Sequence, residues 1–243
     1  MALPLASAIV PPTSTEELST PSHSERLCSR IELAIPSMLK ITNEIANHPQ
    51  LRELFPEFLI RVHWLIRFSV PLMETAMETC RRRADDPVCA AMLPYLEEHT
   101  EEERGHDELL LQDLERIGVS RKTVLRRLPS PTVAAAQGAM HYWTAHHHPV
   151  AMFGSMIPSE CYPISLETIS WLEQQTGYPR AAFRTMEMHS ELDQGHGAEA
   201  LAMLDTLPLD DWHHEVLGVA SLHFLACSTQ MYRELLEDFP VSR

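Results

Sequence analysis

Apolar residues recur at intervals of three and four along nearly the whole chain, the spacing that returns side chains to one face of an α-helix. Only 8 glycines occur in 243 residues, and the paired turn residues that announce β-hairpins are missing. The pattern predicts an all-α bundle of about seven helices joined by short links. Ser24 to His48 forms the first, with Ile31, Ile35, Leu39, Ile41 and Ile45 in its buried stripe and Pro36 as a candidate kink. Leu59 to Cys80 is apolar almost throughout and is expected in the middle of the bundle, bent at Pro71. Pro87 to Ile117 reads as one long third helix, closed by Gly118. Four more helices are expected over 131–148, 150–176, 179–206 and 210–238, divided by Pro149, by Gly177-Tyr178-Pro179 and by Leu207-Pro208. Residues 1–23 are weakly apolar without a positively charged start, so a mobile tail is expected there and not a signal peptide; residues 24–243 form one helical domain.

Charge and cysteine usage narrow the partners. With 19 Lys and Arg against 34 Asp and Glu, a net charge of -15 leaves no basic footprint for nucleic acid. No apolar run is long enough to cross a membrane. The 5 cysteines are scattered without C-x-x-C spacing, which fits reduced thiols in a cytoplasmic protein.

Chemistry concentrates on two helices and one short segment. In HSELDQGH, residues His189, Asp193 and His196 stand at i, i+4 and i+7, offsets that bring all three to one stripe. Two imidazoles and a carboxylate on one stripe make half of a site for iron, manganese or zinc. The third helix repeats the arrangement: His99, Glu102 and His106 fall within one narrow stripe, with Glu103 to its side. Glu103 stands evenly between ligand and bystander, because Glu103 and His106 have the E-x-x-H spacing used by di-iron carboxylate bundles. Glu160 lies in the apolar stretch AMFGSMIPSECYPI, where a buried carboxylate calls for a cation. The run His146-His147-His148 precedes Pro149 and is read as cationic side chains at a helix C-terminus. His141, Tyr142 and Trp143 read as core, with a substrate channel as the second possibility, and His63 and Glu74 as buried polar groups.

The segments HTEEERGHDELLLQDLERIG, AHHHPVAMFGSMIPSE and HSELDQGH, in this order and at these intervals, resemble the haem-oxygenase-like di-iron oxidases, also called iron-containing redox enzymes, over roughly residues 50 to 235. The resemblance implies His106 as the histidine of the third helix, Glu160 as the intervening carboxylate, and His189, Asp193 and His196 as the closing triad. Many members carry a glutamate seven residues before the first histidine. Here His99 stands in that place, so either His99 is itself a ligand or Glu102 supplies the carboxylate.

The resemblance further implies two Fe2+ ions that activate O2 in a cytoplasmic, biosynthetic oxidoreductase. Its substrate is expected to be a small carboxylated molecule, an amino acid or derivative before a fatty acid, undergoing N-oxygenation, desaturation or C–C cleavage. Arg67, Arg180 and Arg184 are the cations available to such a substrate. An external electron donor and a homodimer stay open. Two other classes compete, a metal-independent enzyme on the same helical fold and a non-catalytic metal-binding protein.

Overall fold

The computed structural model describes residues 20–241, leaving aside the side chain of Gln194. Most of the expected tail therefore lies outside the described residues. Among those described there are ten α-helices and no strand. Helix α1 (His23–Ala46) starts under a capping box, in which the Ser22 side chain accepts from the Glu25 backbone and the Glu25 carboxylate accepts from that of Ser22. Helix α2 (Leu51–Arg82) begins earlier than the apolar run suggested and carries Pro56 and Pro71 inside it. Pro56 has no N–H for the carbonyl of Arg52, and the Tyr178 hydroxyl donates to that carbonyl instead, at 3.0 Å.

The largest departure from expectation lies in the third helix. Residues 87–117 form two helices, α3 (Pro87–Glu103) and α4 (His106–Arg116), broken at an extended Arg104 and at Gly105 with φ 87°. Only glycine takes that conformation without strain. Arg104 turns outward to pair with Glu101 and Glu74, which also places Glu74 on the surface. After Gly118, Ser120 caps a short α5 (Arg121–Arg126), and Ser130 caps α6 (Pro131–His146).

The span 150–176 is likewise not one helix. A 3-10 turn (Pro149–Met152) leads into α7 (Phe153–Glu160), and a non-helical link separates it from α8 (Leu166–Thr176), whose N-cap is Ser165. Pro158 lies in the last turn of α7, and Pro163 stands three residues past its end, within the link. A second 3-10 turn (Arg180–Phe183) precedes α9 (Arg184–Thr206), and α10 (Asp211–Glu237) closes the fold against α1, α6 and α7.

The apolar core falls into two clusters. One gathers Leu27, Ile31, Leu72, Met92, Phe153 and Leu225, the other Phe55, Leu59, Leu111, Phe183, Met231 and Leu235. A cavity of about 420 Å³ draws its lining from both, and His99, Glu103, Glu160, His189 and Asp193 lie in its wall. No helix among the described residues is long and apolar enough to cross a membrane.

Because an added Cβ at Gly105 would meet nothing within 4 Å, its substitution isolates the conformational penalty. Gly105→Ala should destabilise the fold by about 1–2 kcal/mol, read as a lowered midpoint in urea denaturation with unchanged slope.

Candidate metal centre

Four helices bring the polar cluster together. Helix α3 contributes His99, Glu102 and Glu103, α4 contributes His106 from its first residue, α7 contributes Glu160 from its last, and α9 contributes His189, Asp193 and His196. All seven residues expected from the sequence stand in this cluster, as does Glu103. The reason expected for the α3–α4 group was wrong, because His106 does not continue the helix of His99 and Glu102. The Gly105 break re-aims it.

That break also leaves the neighbouring glutamates in different surroundings. The Glu103 side chain is 10 % exposed against 46 % for Glu102. Glu103 Oε2 lies 3.2 Å from His106 Nδ1, and its Oε1 lies 3.8 Å from His196 Nδ1, so the carboxylate sits between two imidazoles. Glu102 reaches the cluster from its rim, 3.4 Å from His196 Nε2 and 3.7 Å from His99 Nδ1. His99, Glu102 and His196 present donor atoms all within 4.8 Å of one another. Opposite them, His189 Nδ1 lies 3.1 Å from Asp193 Oδ1, and the His189 and His106 rings meet edge to face with centroids 5.0 Å apart.

Glu160 joins the two groups. Its Oε1 lies 3.1 Å from His99 Nε2, while its Oε2 is buried without a partner. His189 Nε2 and His196 Nδ1 are likewise buried without a hydrogen-bond partner. Burial works against the charge on His99, but the bond to Glu160 and the negative charges of Glu160, Glu103 and Glu102 together outweigh it and hold the imidazole above its ordinary value. The same balance, with Asp193 as partner, raises His189. Burial would raise Glu103 too, but His106 beside it holds that carboxyl below the usual range. Burial holds the Glu160 carboxyl above its usual range, against the opposing pull of His99.

Supporting contacts fix the arrangement. Tyr95 stacks on the His99 ring at 5.4 Å and on Phe153 at 5.8 Å. Gly197 follows His196 at the contact between α9 and α7, where a Cβ would come within 3.0 Å of the Glu160 carbonyl oxygen and 3.2 Å of Cys161 Sγ. Helix α9 has no capping side chain of its own. The buried Asp113 of α4 provides one across space, accepting the Thr185 backbone N–H at 2.8 Å while pairing with Arg116 at 3.0 Å. His106 lies two turns before Asp113 and His189 one turn after Thr185, so this bond ties together the helices whose rings face each other.

Other sequence candidates lie elsewhere. His63 is fully buried with neither ring nitrogen bonded, and it does not line the cavity. His141 packs on Phe68 and reaches Thr75, Trp143 meets His223, and Tyr142 is exposed. His148 belongs to a second grouping with Asp86 and Cys89. There its Nδ1 accepts the Val150 N–H at 3.1 Å, which leaves the proton on Nε2 to donate to Asp86 at 3.1 Å. With both nitrogens engaged, the ring clamps the start of α3 to the 3-10 turn. Arg67, Arg180 and Arg184 do not line the cavity, and Arg180 is paired with Glu173 and Glu187.

An all-α bundle holding opposed histidine–carboxylate groups at the wall of an apolar cavity defines a class of metal-dependent helical proteins. Residues 58–220 match the family model described as iron-containing redox enzyme, and the chain belongs to that family. Among curated proteins no relative matches. A domain of unknown function with a haem-oxygenase-like fold from Shewanella denitrificans is similar in structure, with TM-score 0.73, 16% identity, and coverage of 88% of this chain and 92% of that one. A TenA homologue from Pyrococcus furiosus gives TM-score 0.66 at 14% identity, covering 88% and 99% of the two chains. A CADD-like protein of unknown function from Nostoc punctiforme gives 0.62 at 14% identity, covering 88% and 97%. The fold is haem-oxygenase-like.

Asp113→Ala strips the buried N–H of Thr185 of its partner and should lower stability by about 1–3 kcal/mol. Asp113→Asn, whose amide oxygen still accepts, should lose less; thermal denaturation of the two variants side by side checks the order.

Proposed function

We propose that the chain is a non-haem di-iron oxidoreductase that uses O2 to oxidise a small organic molecule held in the apolar cavity. The observation that supports this reading is the convergence of imidazoles and carboxylates from α3, α4, α7 and α9 on one buried place, with donor atoms of Glu160, His189 and His196 left unpartnered. Those orphaned atoms fit a bound cation, which would satisfy them together. The donor set of N and O atoms suits iron or manganese.

One half-site is His99, Glu102 and His196; the other is His106, His189 and Asp193, with Glu103 and Glu160 placed to span them. On this reading His99 and Glu102 are both ligands, and Glu103 joins the set. Two ferrous ions held there would supply the electrons and coordination positions that dioxygen reduction requires. The protein's own residues orient and exclude. Tyr95 holds the His99 ring, Asp113 fixes α9 against α4, and the apolar lining keeps water from the reacting end.

The substrate reading shifts with the cavity. Among the described residues no Arg or Lys lines it, so away from the histidine–carboxylate cluster an α-amino acid would find no cationic side chain for its carboxylate. Its wall runs along α2 from Phe55 to Met73, eighteen residue steps or about 27 Å of helix. Such a shape favours an elongated apolar molecule over an amino acid. A protein that only stored metal would have no use for it.

Anaerobic loading with ferrous iron should give two ions per chain, and admission of air should then consume oxygen as an electrode records. Asp193→Ala and Glu103→Gln should each reduce bound iron to one ion or fewer, while Glu102→Gln, at the exposed rim, should weaken binding less than Glu103→Gln. Failure of the wild type to bind iron, or iron binding without oxygen uptake, would overturn the reading.

A further inference from the structure

Away from the histidine–carboxylate cluster, a second group of metal-type donors converges where the α2–α3 turn meets the 3-10 turn before α7. Asp86 Oδ2 lies 3.1 Å and Cys89 Sγ 3.8 Å from His148 Nε2, and the three donor atoms fall within 4.8 Å of one another. Cys80, in the last turn of α2, adds a second thiol that is hydrogen-bonded to that of Cys89. The two cysteines have no C-x-x-C spacing, because it is the reversal of the chain between α2 and α3 that brings them together.

The surroundings hold these donors in place. Asp86 Oδ1 accepts the N–H groups of Val88 and Cys89, which fixes the carboxylate with its Oδ2 toward His148. Cys80, Cys89 and His148 are buried, Asp86 is half-buried, and the His148 ring meets that of His213 edge to face at 4.6 Å. Burial holds His148 below its ordinary range, so the imidazole is neutral, as a ligand must be. The bond to Asp86 is enough to account for the clamp. It does not require two buried thiols at the same nitrogen.

We propose that Cys80, Cys89, His148 and Asp86 bind one zinc ion, a structural site that ties the α2–α3 turn to the 3-10 turn before α7. Donors held at zinc bond lengths around a tetrahedron stand about 3.3 to 3.8 Å from one another, and both distances to His148 Nε2 lie close to that spacing. Two thiolates with an imidazole and a carboxylate favour zinc over magnesium or calcium. Zinc replaces the protons of both thiols, which pass to solvent, and it takes the Nε2 position of His148, whose remaining proton moves to Nδ1. The Val150 N–H then loses its acceptor, a small loss beside bonds to two thiolates. Two thiolates and a carboxylate outweigh the ion's charge, and Arg83, whose charge acts on Cys80, Cys89 and His148, offsets the remainder. The site stands apart from the iron reading, since the donors of that centre are nitrogen and oxygen alone.

The test uses the full chain and its Asp193→Ala variant, each stripped of metal by a chelator and then given one equivalent of Zn2+. X-ray absorption at the zinc edge should show two sulfur neighbours at about 2.3 Å in the Asp193→Ala protein, and zinc should raise the thermal midpoint of both. In the Asp193→Ala background, Cys80→Ser with Cys89→Ser should remove the sulfur signal and the zinc-dependent rise. Circular dichroism verifies that the variants are folded, and if the combined variant is not, each single substitution should halve the sulfur count. Zinc surrounded only by nitrogen and oxygen, a sulfur signal that survives the substitutions, or no zinc bound to the Asp193→Ala protein would overturn the proposal. Failure of the iron reading would appear separately, as absent ferrous iron in a wild-type chain whose zinc still has sulfur neighbours.

Discussion

A carboxylate removed from water has to be answered by positive charge, and this bundle buries several of them in one place. Glu103, Glu160 and Asp193 each face an imidazole within the cluster, and the imidazoles of His99 and His189 are held protonated beyond their ordinary range by the partners they face. Neither set of groups would be tolerable there without the other. The positions of α3, α4, α7 and α9 follow from the need to keep these opposite charges together.

The core reflects that need. Instead of one continuous apolar interior, two clusters flank the polar centre and the cavity that opens from it. Each ligand-bearing helix is held near its donors by a contact outside the cluster. Asp113 caps α9, His148 clamps the start of α3 to the turn before α7, and Tyr95 packs on His99. The first two of these contacts join residues far apart in sequence, while the third is made within α3.

The two stripes were legible in the sequence for different reasons, one sound and one fortunate. His189, Asp193 and His196 share an unbroken helix, so their spacing reported their geometry correctly. His99 and His106 do not, since the chain turns at Arg104 and Gly105 between them. A helical-wheel argument therefore picked residues that do cluster, but for a reason the structure does not share, and it set Glu103 to the side. The E-x-x-H spacing and the glycine directly before the histidine were the available signals. Glu160 was legible because an acid among apolar neighbours is conspicuous, although the end of its helix, beside Pro158 and Pro163, was not. The shape of the cavity was invisible, since it depends on which of many apolar side chains fail to touch, and no periodicity encodes that.

The close approach at Gly197 has a consequence for how such sites are recognised. His196 and Glu160 come from different helices, and their separation is set where α9 meets the last turn of α7, at a residue with no side chain. Position 197 acts as a stop against which one helix rests on the other. A chain that kept every histidine and carboxylate but carried alanine there would still match the motif, letter by letter. It would hold the two halves of its centre farther apart, and its difference in chemistry would be traceable to a single methyl group on a residue that binds nothing.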